Sequence, residues 1–570
     1  MPTFKPGLFC SNPAQICYGG IHNSPGMAPT RASLITEHGS VAEALLKSNR
    51  DESKTYDVIV VGSGMGGGTI AAALADESKS VLVLEAGSLL FPTHVGNLPR
   101  RLLIGKFQKH VWSLWERFSV KNYNNLPGSV YQGGQGFNLG GRSIFWGGSI
   151  PPLAIWELED WPADIRDYLI NGGGYDLARQ TFNADVPELQ DSSFHQQSVG
   201  ILKTILGPDW DVSPGPVAVE YAGPTEWSVP AGLFSTADLL LEDVLVENVS
   251  AQQPRRSLTV NLNHAVWRVT FDPSNGSRAT GVVCHDLLKD KVRTYRAKAV
   301  VIAAGALESP KIALQSGIQN DKLQVGAGIV DHAIYYRHFV VSPDKLKTLG
   351  LTSHTPRAAP PRAEPQSTKL LIYHKEATVR DYAFDVIVEL GAQFNQGRFV
   401  DRDHIADDLN IREGYLLCEI VFQFYAPLMN GNYVQLSAAV GEGGPSKPVD
   451  VYMKEAEVKE ELLMQARQVA KKVLHTFDAL PVLEEEQLYA EDGLPKLQRA
   501  KVGDVAHEVG TLRMPVAGVK GVVDKDLKFE GYENLFACDN SVFPCSPAGN
   551  PSLTLVALAR RCAKTVAALV

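Results

Sequence analysis

Long hydrophobic runs are missing from this chain. Its apolar stretches, such as Val58–Val61 and Ala299–Ala306, fall far short of the ~20 residues a bilayer-crossing helix needs, so no transmembrane span is expected. Cysteine is scarce: seven in 570 residues do not make a disulfide framework, and none stands in a C-x-x-C pair, so no metal site is expected. Cys10 and Cys17 are close enough in sequence to pair, but free thiols in a reducing compartment are the simpler reading. A positive excess is also lacking. The formal charge is −9, which is not the electrostatic footprint of a general nucleic-acid binder. The first residues have no basic stretch leading into an apolar one, so no signal peptide is expected, and the location is read as cytoplasmic or otherwise intracellular. What remains is a chain with 44% hydrophobic residues, long enough for more than one large core.

Residues 1–54 read as an irregular arm ending in a short helix over Ser40–Lys47, with Val41, Leu45 and Leu46 on one face. A strand opens at Tyr56, a glycine turn follows, a helix runs from about Gly67 to Asp76, and a second strand spans Ser80–Glu85. Residues 160–250 read as helices and loops. Leu258–Thr270 and Thr280–Ala297 read as paired strands, Val300–Ala304 as a short buried strand and Ser309–Ser316 as a helix. Four prolines within Thr355–Gln366 exclude a helix interior or a central strand there, which makes 355–366 a surface excursion. Lys369–Ala392 and Tyr415–Ala439 are rich in β-branched and aromatic residues and favour a sheet. Val458–Leu480 and Pro551–Leu569 read as helices.

The first chemical motif is Gly62-Ser63-Gly64-Met65-Gly66-Gly67, set between strand and helix. Gly62 permits the tight turn, Gly64 lets a pyrophosphate approach the backbone, and Gly67 allows close helix–strand packing. The helix start, at Met65 and beyond, offers free N–H groups to phosphate. Glu85, followed by Ala86, ends the second strand at the spacing where an acid holds a ribose hydroxyl, and an acid there argues against a 2′-phosphate. An ordinary glycine-rich turn would leave Glu85 unexplained.

Val-Leu-Glu-Ala-Gly after this unit resembles the start of the glucose-methanol-choline (GMC) oxidoreductases, which bind FAD. Further segments resemble that family in the same order: Leu139-Gly140-Gly141-Arg142-Ser143-Ile144-Phe145-Trp146-Gly147-Gly148, Ala304-Gly305-Ala306-Leu307-Glu308-Ser309-Pro310, Val325-Gly326 to Asp331-His332, and Cys538-Asp539-Asn540 through Asn550-Pro551-Ser552. The match is spread over residues 56–150, 258–332 and 500–570. The resemblance implies an α/β fold, α+β overall. A Rossmann-type FAD-binding domain would be assembled from 55–160, 250–335 and 500–570. A second, substrate-binding domain would hold 161–249 and 336–499 on an antiparallel sheet. It also implies cofactor contacts at Gly140, Gly141, Ser143, Trp146, Ala304, Gly305, Asp539, Asn540, Pro551 and Ser552, with Val266 at the adenine. Members that attach FAD covalently carry His where Phe145 stands, so FAD is expected to be non-covalent. Trp146 is shared with the pyranose-oxidase branch, where many relatives have Asn.

His507 lies at the family's first active-site histidine, and Asn550 where members carry a second His or an Asn. A neutral imidazole can take an alcohol's proton near pH 7, and an amide can hold the alcohol oxygen while the hydride goes to the flavin N5. Asn550 before Pro551 also reads as a helix N-cap. His332 reads as structural, and Glu508 as a solvated or structural charge. The expected activity is oxidation of a CH–OH group of a small-molecule alcohol or sugar-type substrate, with oxygen or another acceptor taking the electrons. The alternatives are a lyase or decarboxylase on the same scaffold, or a non-catalytic flavin-binding protein.

Overall fold

The computed structural model describes residues 42, 45–97, 109–182, 193–218, 232–246, 257–318, 324–351, 368–391, 415–438, 444–482, 486–516 and 519–570. The 355–366 excursion, Cys10, Cys17 and most of the N-terminal arm lie outside them.

Thr55–Val61 (β1) ends in a run of buried residues, the pattern of a strand covered on both faces. Met65–Asp76 (α1) starts two residues before the expected Gly67, and Ser80–Leu84 (β2) returns parallel to β1. Ser257–Asn261 (β3), His264–Asp272 (β4), Asn275–Asp286 (β5) and Lys291–Ile302 (β6) complete most of a seven-stranded sheet of order β3-β2-β1-β6-β5-β4, with Leu535–Ala537 also laid against β6. The pairs around β1 and β2 are parallel, and β4-β5-β6 is an antiparallel meander.

Two sequence readings change here. Leu258–Thr270 is two strands, because Asn263 turns the chain with a φ of 58°, and asparagine is among the few residues that accept this region. Thr280–Ala297 contains a hairpin whose turn has Asp290 at φ 50°, and the strand expected over Val300–Ala304 is the end of β6.

Gly305–Gln315 (α2) leads toward a second sheet. Ile334–Val341 (β7), Thr368–His374 (β8), Phe384–Leu390 (β9) and Leu416–Phe424 (β10) pair antiparallel in the order β7-β10-β9-β8, flanked by Gln498–Arg499 and Trp210–Pro214. The flanking strand Trp210–Pro214 lies in a region read from sequence as helices and loops. Met429–Leu436 (β11) leaves this sheet for a separate four-stranded one, so the apolar stretch after Tyr415 is divided between two sheets. Glu460–Thr476 (α3) covers one face of the second sheet with Ala466, Val469 and Val473. The other face carries Tyr336, Leu371, Ile387 and Val421, and Val505 packs against them. That contact brings the sheet over the segment leading to His507. The closing helix, Ser552–Leu569 (α4), packs on α1. No helix among the described residues is long and apolar enough to cross a membrane.

Candidate active site

One elongated cavity runs from the β1–α1 turn to the start of α4. Gly62, Gly64, Met65, Glu85, Ala86, Gly141, Ser143, Trp146, Val266, Ala304, Gly305, His507, Asp539, Asn540, Asn550, Pro551 and Ser552 all line it. Gly67 and Gly140 stand behind the wall. A Cβ on Gly67 would meet the Gly62 carbonyl at 2.1 Å, so this glycine serves helix–strand packing, while Gly140 shapes its loop with a φ of 83°. Gly66 was assigned no role from sequence, yet its Cβ would meet the Cys538 carbonyl at 2.0 Å.

The cavity fits a dinucleotide on several counts. A Cβ at Gly64 or at Gly305 would meet nothing within 4 Å, so both backbones are bare toward the space they line. The α1 and α4 N-termini open there with no side-chain cap, leaving N–H groups for an anion. Asn540 Oδ1 and Asn550 Oδ1 are buried without a hydrogen-bond partner, a costly condition that a ligand donor would relieve.

Glu85 lines the cavity, but part of its hydrogen-bonding capacity is internal. Its Oε2 accepts from Ser63 N at 3.0 Å and Ser63 Oγ at 2.6 Å, and its Oε1 from Gly87 N at 2.9 Å. Burial raises its pKa. Asp539 Oδ2 accepts from Gly305 N and Ser309 Oγ, and Oδ1 from Ser541 N, which ties two cavity-lining segments together. Ser143 Oγ donates to the Gly140 carbonyl, and the Trp146 indole N–H donates to the Phe234 carbonyl. Val266 and Ala86 flank His264, a ring that burial holds neutral by lowering its pKa to about 4.

At the far end His507 and Asn550 meet, with Asn550 Nδ2 and His507 Nε2 at 3.4 Å. Asn550 does not cap α4. The helix starts at Ser552, Pro551 holds the cap position, and no side-chain cap bond forms, so the amide oxygen is left for the cavity. His507 follows Ala506, whose φ of 60° is strained for a residue with a Cβ. Arg142 holds this turn: its Nη1 donates to the Ala506 carbonyl at 3.0 Å and to Glu508 Oε2 at 2.6 Å. Glu508 is therefore not a solvated charge. It is buried, also accepts from Tyr131 O–H at 2.6 Å, and helps fix the backbone on both sides of His507. Burial works against the Arg142 charge, but Glu508, Tyr131 and Asp331 together more than offset it and the pKa rises.

His332, read from sequence as structural, touches the site. Its Nε2 lies 2.9 Å from His507 Nδ1, and its Nδ1 lies 2.6 Å from the Pro547 carbonyl. Asp331, His332 and His507 bring donor atoms within 4.8 Å of one another, but these hydrogen bonds occupy both His332 nitrogens. Beneath the same loop, Glu157 accepts from Gly549 N at 2.8 Å and Ala154 N at 2.7 Å. Asp385 of β9 also reaches this loop, its Oδ2 3.3 Å from the place a Gly549 Cβ would take. Sequence reasoning gave no role to Arg142, Glu157 or Asp385, and gave His332 a structural one. The Gly-Gly loop and the Asp-His pair were noticed, but their partners are hundreds of residues away.

Two models of the GMC oxidoreductase family match this chain, the N-terminal one over residues 245–334 and the C-terminal one over 431–559. Among curated proteins, a GMC-type oxidoreductase of Rhodococcus erythropolis is 26% identical over 330 residues, covering 54% of this chain and 62% of that protein. An oxygen-dependent choline dehydrogenase of Pectobacterium atrosepticum is 27% identical over 324 residues, covering 50% of this chain and 54% of that protein. The chain thus spans little more than half the length of the curated relatives it matches. Among solved structures, a variant of Aspergillus oryzae formate oxidase superimposes with a TM-score of 0.60 at 15% identity, covering 90% of this chain and 98% of that one. Pyridoxine 4-oxidase from Mesorbium loti does so with a TM-score of 0.54 at 16% identity, covering 90% and 99%. These likenesses show a shared fold, the mixed α/β architecture of several sheets described above. The two family-matched regions both supply wall of the cavity, Val266 to Glu308 and His507 to Ser552, so the segments of this chain that resemble the GMC oxidoreductase family are the ones that build the site.

Proposed function

We propose that this chain is an FAD-dependent oxidoreductase that oxidises a CH–OH group of a small-molecule alcohol or sugar-type substrate, with oxygen or another acceptor taking the electrons. The observation that carries the reading is the placement of His507 Nε2 and Asn550 Nδ2, 3.4 Å apart, on the wall of the cavity that also holds the glycine cradle. In this reading the seven-stranded sheet is the core of the FAD-binding domain and the six-stranded sheet that of the substrate domain.

Gly62, Gly64 and the start of α1 would hold the pyrophosphate, Glu85 the ribose, and Gly141, Ser143, Trp146, Asn540, Pro551 and Ser552 the rest of the cofactor. Bound FAD supplies the two-electron acceptor for the hydride. The residues of the chain do the remainder. His507 Nε2 removes the hydroxyl proton, while an Asn550 N–H donates to the substrate oxygen and fixes the direction of its C–H. Phe145 offers no nucleophile for a covalent link, which favours FAD held by contacts alone.

The test is anaerobic titration of the FAD-loaded protein with sugars, glycosides, sterols and aryl alcohols, following bleaching of the flavin. At least one class should bleach it. Turnover without bleaching would point to a lyase on the same scaffold, and an inert flavin across the panel would count against catalysis of alcohol oxidation.

A further inference from the structure

We propose that His332 is a positioning residue that sets the tautomer of His507, passing the polarity of the Pro547 backbone carbonyl across two imidazole rings to the base. The inference rests on the reading of His507 as that base.

The argument uses only which atoms can carry protons. The partner of His332 Nδ1, at 2.6 Å, is the Pro547 carbonyl oxygen, which has no proton to give, so Nδ1 donates. His332 is buried, and the relay operates with its ring neutral. A neutral His332 with its proton on Nδ1 has a bare Nε2, which must accept. The atom facing it at 2.9 Å is His507 Nδ1, which therefore holds the proton. The rings meet edge to face, with centroids 5.0 Å apart and planes at 71°. A neutral His507 protonated on Nδ1 is bare at Nε2, the atom turned to Asn550. The lone pair needed for proton removal is thus placed at the one nitrogen that faces the cavity. Once His507 has taken a proton, its Nδ1–H bond to His332 becomes charge-assisted and stronger. Pro547 and Asn550 lie on one short segment, which Glu157 holds through Gly549 N. A single loop therefore places both the carbonyl that starts the relay and the amide that ends it. A protonated His332 would reverse the bond and leave His507 without a base. The charged groups near the pair include Asp331, which brings a carboxylate oxygen within 4.8 Å of a nitrogen of each ring and whose Oδ2 accepts from Gly503 N, and the Arg142–Glu508 ion pair.

The experiment is 15N NMR of the FAD-loaded protein labelled in its histidine rings, paired with stopped-flow flavin reduction. The His507 signals are assigned by their loss in His507→Ala. In the wild type His507 should show a protonated Nδ1 and a bare Nε2. In His332→Gln, the amide can still donate to Pro547 and accept from His507, so tautomer and reduction rate should stay within a few-fold of wild type. In His332→Leu the tautomer should shift toward Nε2–H. The limiting reduction rate should fall by at least ~10-fold while the apparent substrate Kd changes little, because a base in the wrong tautomer loses chemistry rather than binding. A wild-type His507 protonated on Nε2, or a His332→Leu variant with unchanged tautomer and rate, overturns the proposal. If His332→Leu does not fold, the wild-type tautomer and the His332→Gln rescue still decide. If His507→Ala reduces its flavin at the wild-type rate, it is the base assignment that has failed, whatever the tautomer.

Discussion

Asn550 and Glu157 show how much a side chain's duty depends on what else it must satisfy. Asn550 makes no cap bond, so Asn550→Ala should leave thermal stability nearly unchanged, whereas the loss of a working N-cap would cost ~1 kcal/mol. Its flavin reduction should slow, but by less than the ~10²–10⁴-fold expected for His507→Ala, since orienting an oxygen contributes less than removing a proton. Thermal melts and single-turnover reduction of the two variants test this, and an Asn550→Ala loss as large as that of His507→Ala would assign the amide a larger part. Glu157 carries the opposite lesson. Burial raises its pKa to about 7, and Asp385 is raised by burial and then by the charge of Glu157. The sign follows from linkage. Between the unfolded value of 4.5 and the folded value near 7, the native state binds more protons than the unfolded one, so stability falls as pH rises through that window. Asp385→Asn removes one of the two carboxyls, so its stability relative to wild type should improve on going from pH 5 to pH 8. Equal shifts in melting temperature at the two pH values would refute the coupling.

The elements that build the cavity differ in how far they could be read in advance. The β1–α1–β2 unit was legible because apolar strands, glycine turn and acid fall within some thirty consecutive residues. The strands β8, β9 and β10 were legible from their β-branched and aromatic content. The split of 415–440 between two sheets was not, since pairing partners are not encoded in local composition. The same holds for the site. His507 and Asn550 stood out by motif, but His332 and Arg142 act through partners that only folding brings near. Glycines divide in the same way, and substitution separates their duties. A methyl on Gly66 would run into the Cys538 carbonyl, so Gly66→Ala must push α1 away from its neighbour and should lower stability by ~1–3 kcal/mol. A methyl on Gly64 meets no protein atom within 4 Å and projects into the cavity, so Gly64→Ala should fold normally yet lose FAD affinity. Apoprotein melts and flavin content measured together check the pair, and a Gly64→Ala variant with full flavin would remove the pyrophosphate from that position.

At the scale of the whole molecule, the cavity joins walls drawn from many separated stretches of the chain, between Val61 and Leu555. A ligand bound across all of them favours the native state by mass action, by ~2.7 kcal/mol at a hundredfold excess over its Kd. Removing FAD should therefore lower the melting temperature of the entire chain, and restoring it should raise that temperature with concentration. Because Phe145 cannot form a covalent link, acid precipitation should leave the flavin in the supernatant. A coloured pellet would require a link at another residue.

The strand order of the seven-stranded sheet also has a consequence in time. Its strands come from residues 55–84, from 257–302 and, last, from 535–537, while the helix that packs on α1 begins at Ser552. A ribosome working from the N-terminus at ~5–20 residues per second makes β1, α1 and β2 together, but reaches β6 only near residue 302 and Leu535–Ala537 and α4 well after that. Through that interval the apolar flank of β6 that awaits Leu535–Ala537 has nothing to pair with, and α1 has no α4. Between residue 302 and residue 535 the nascent chain therefore carries an uncovered strand edge, a liability for aggregation. The cavity cannot close until the segment through Leu555 has been made, so a cofactor would be loaded only after that point.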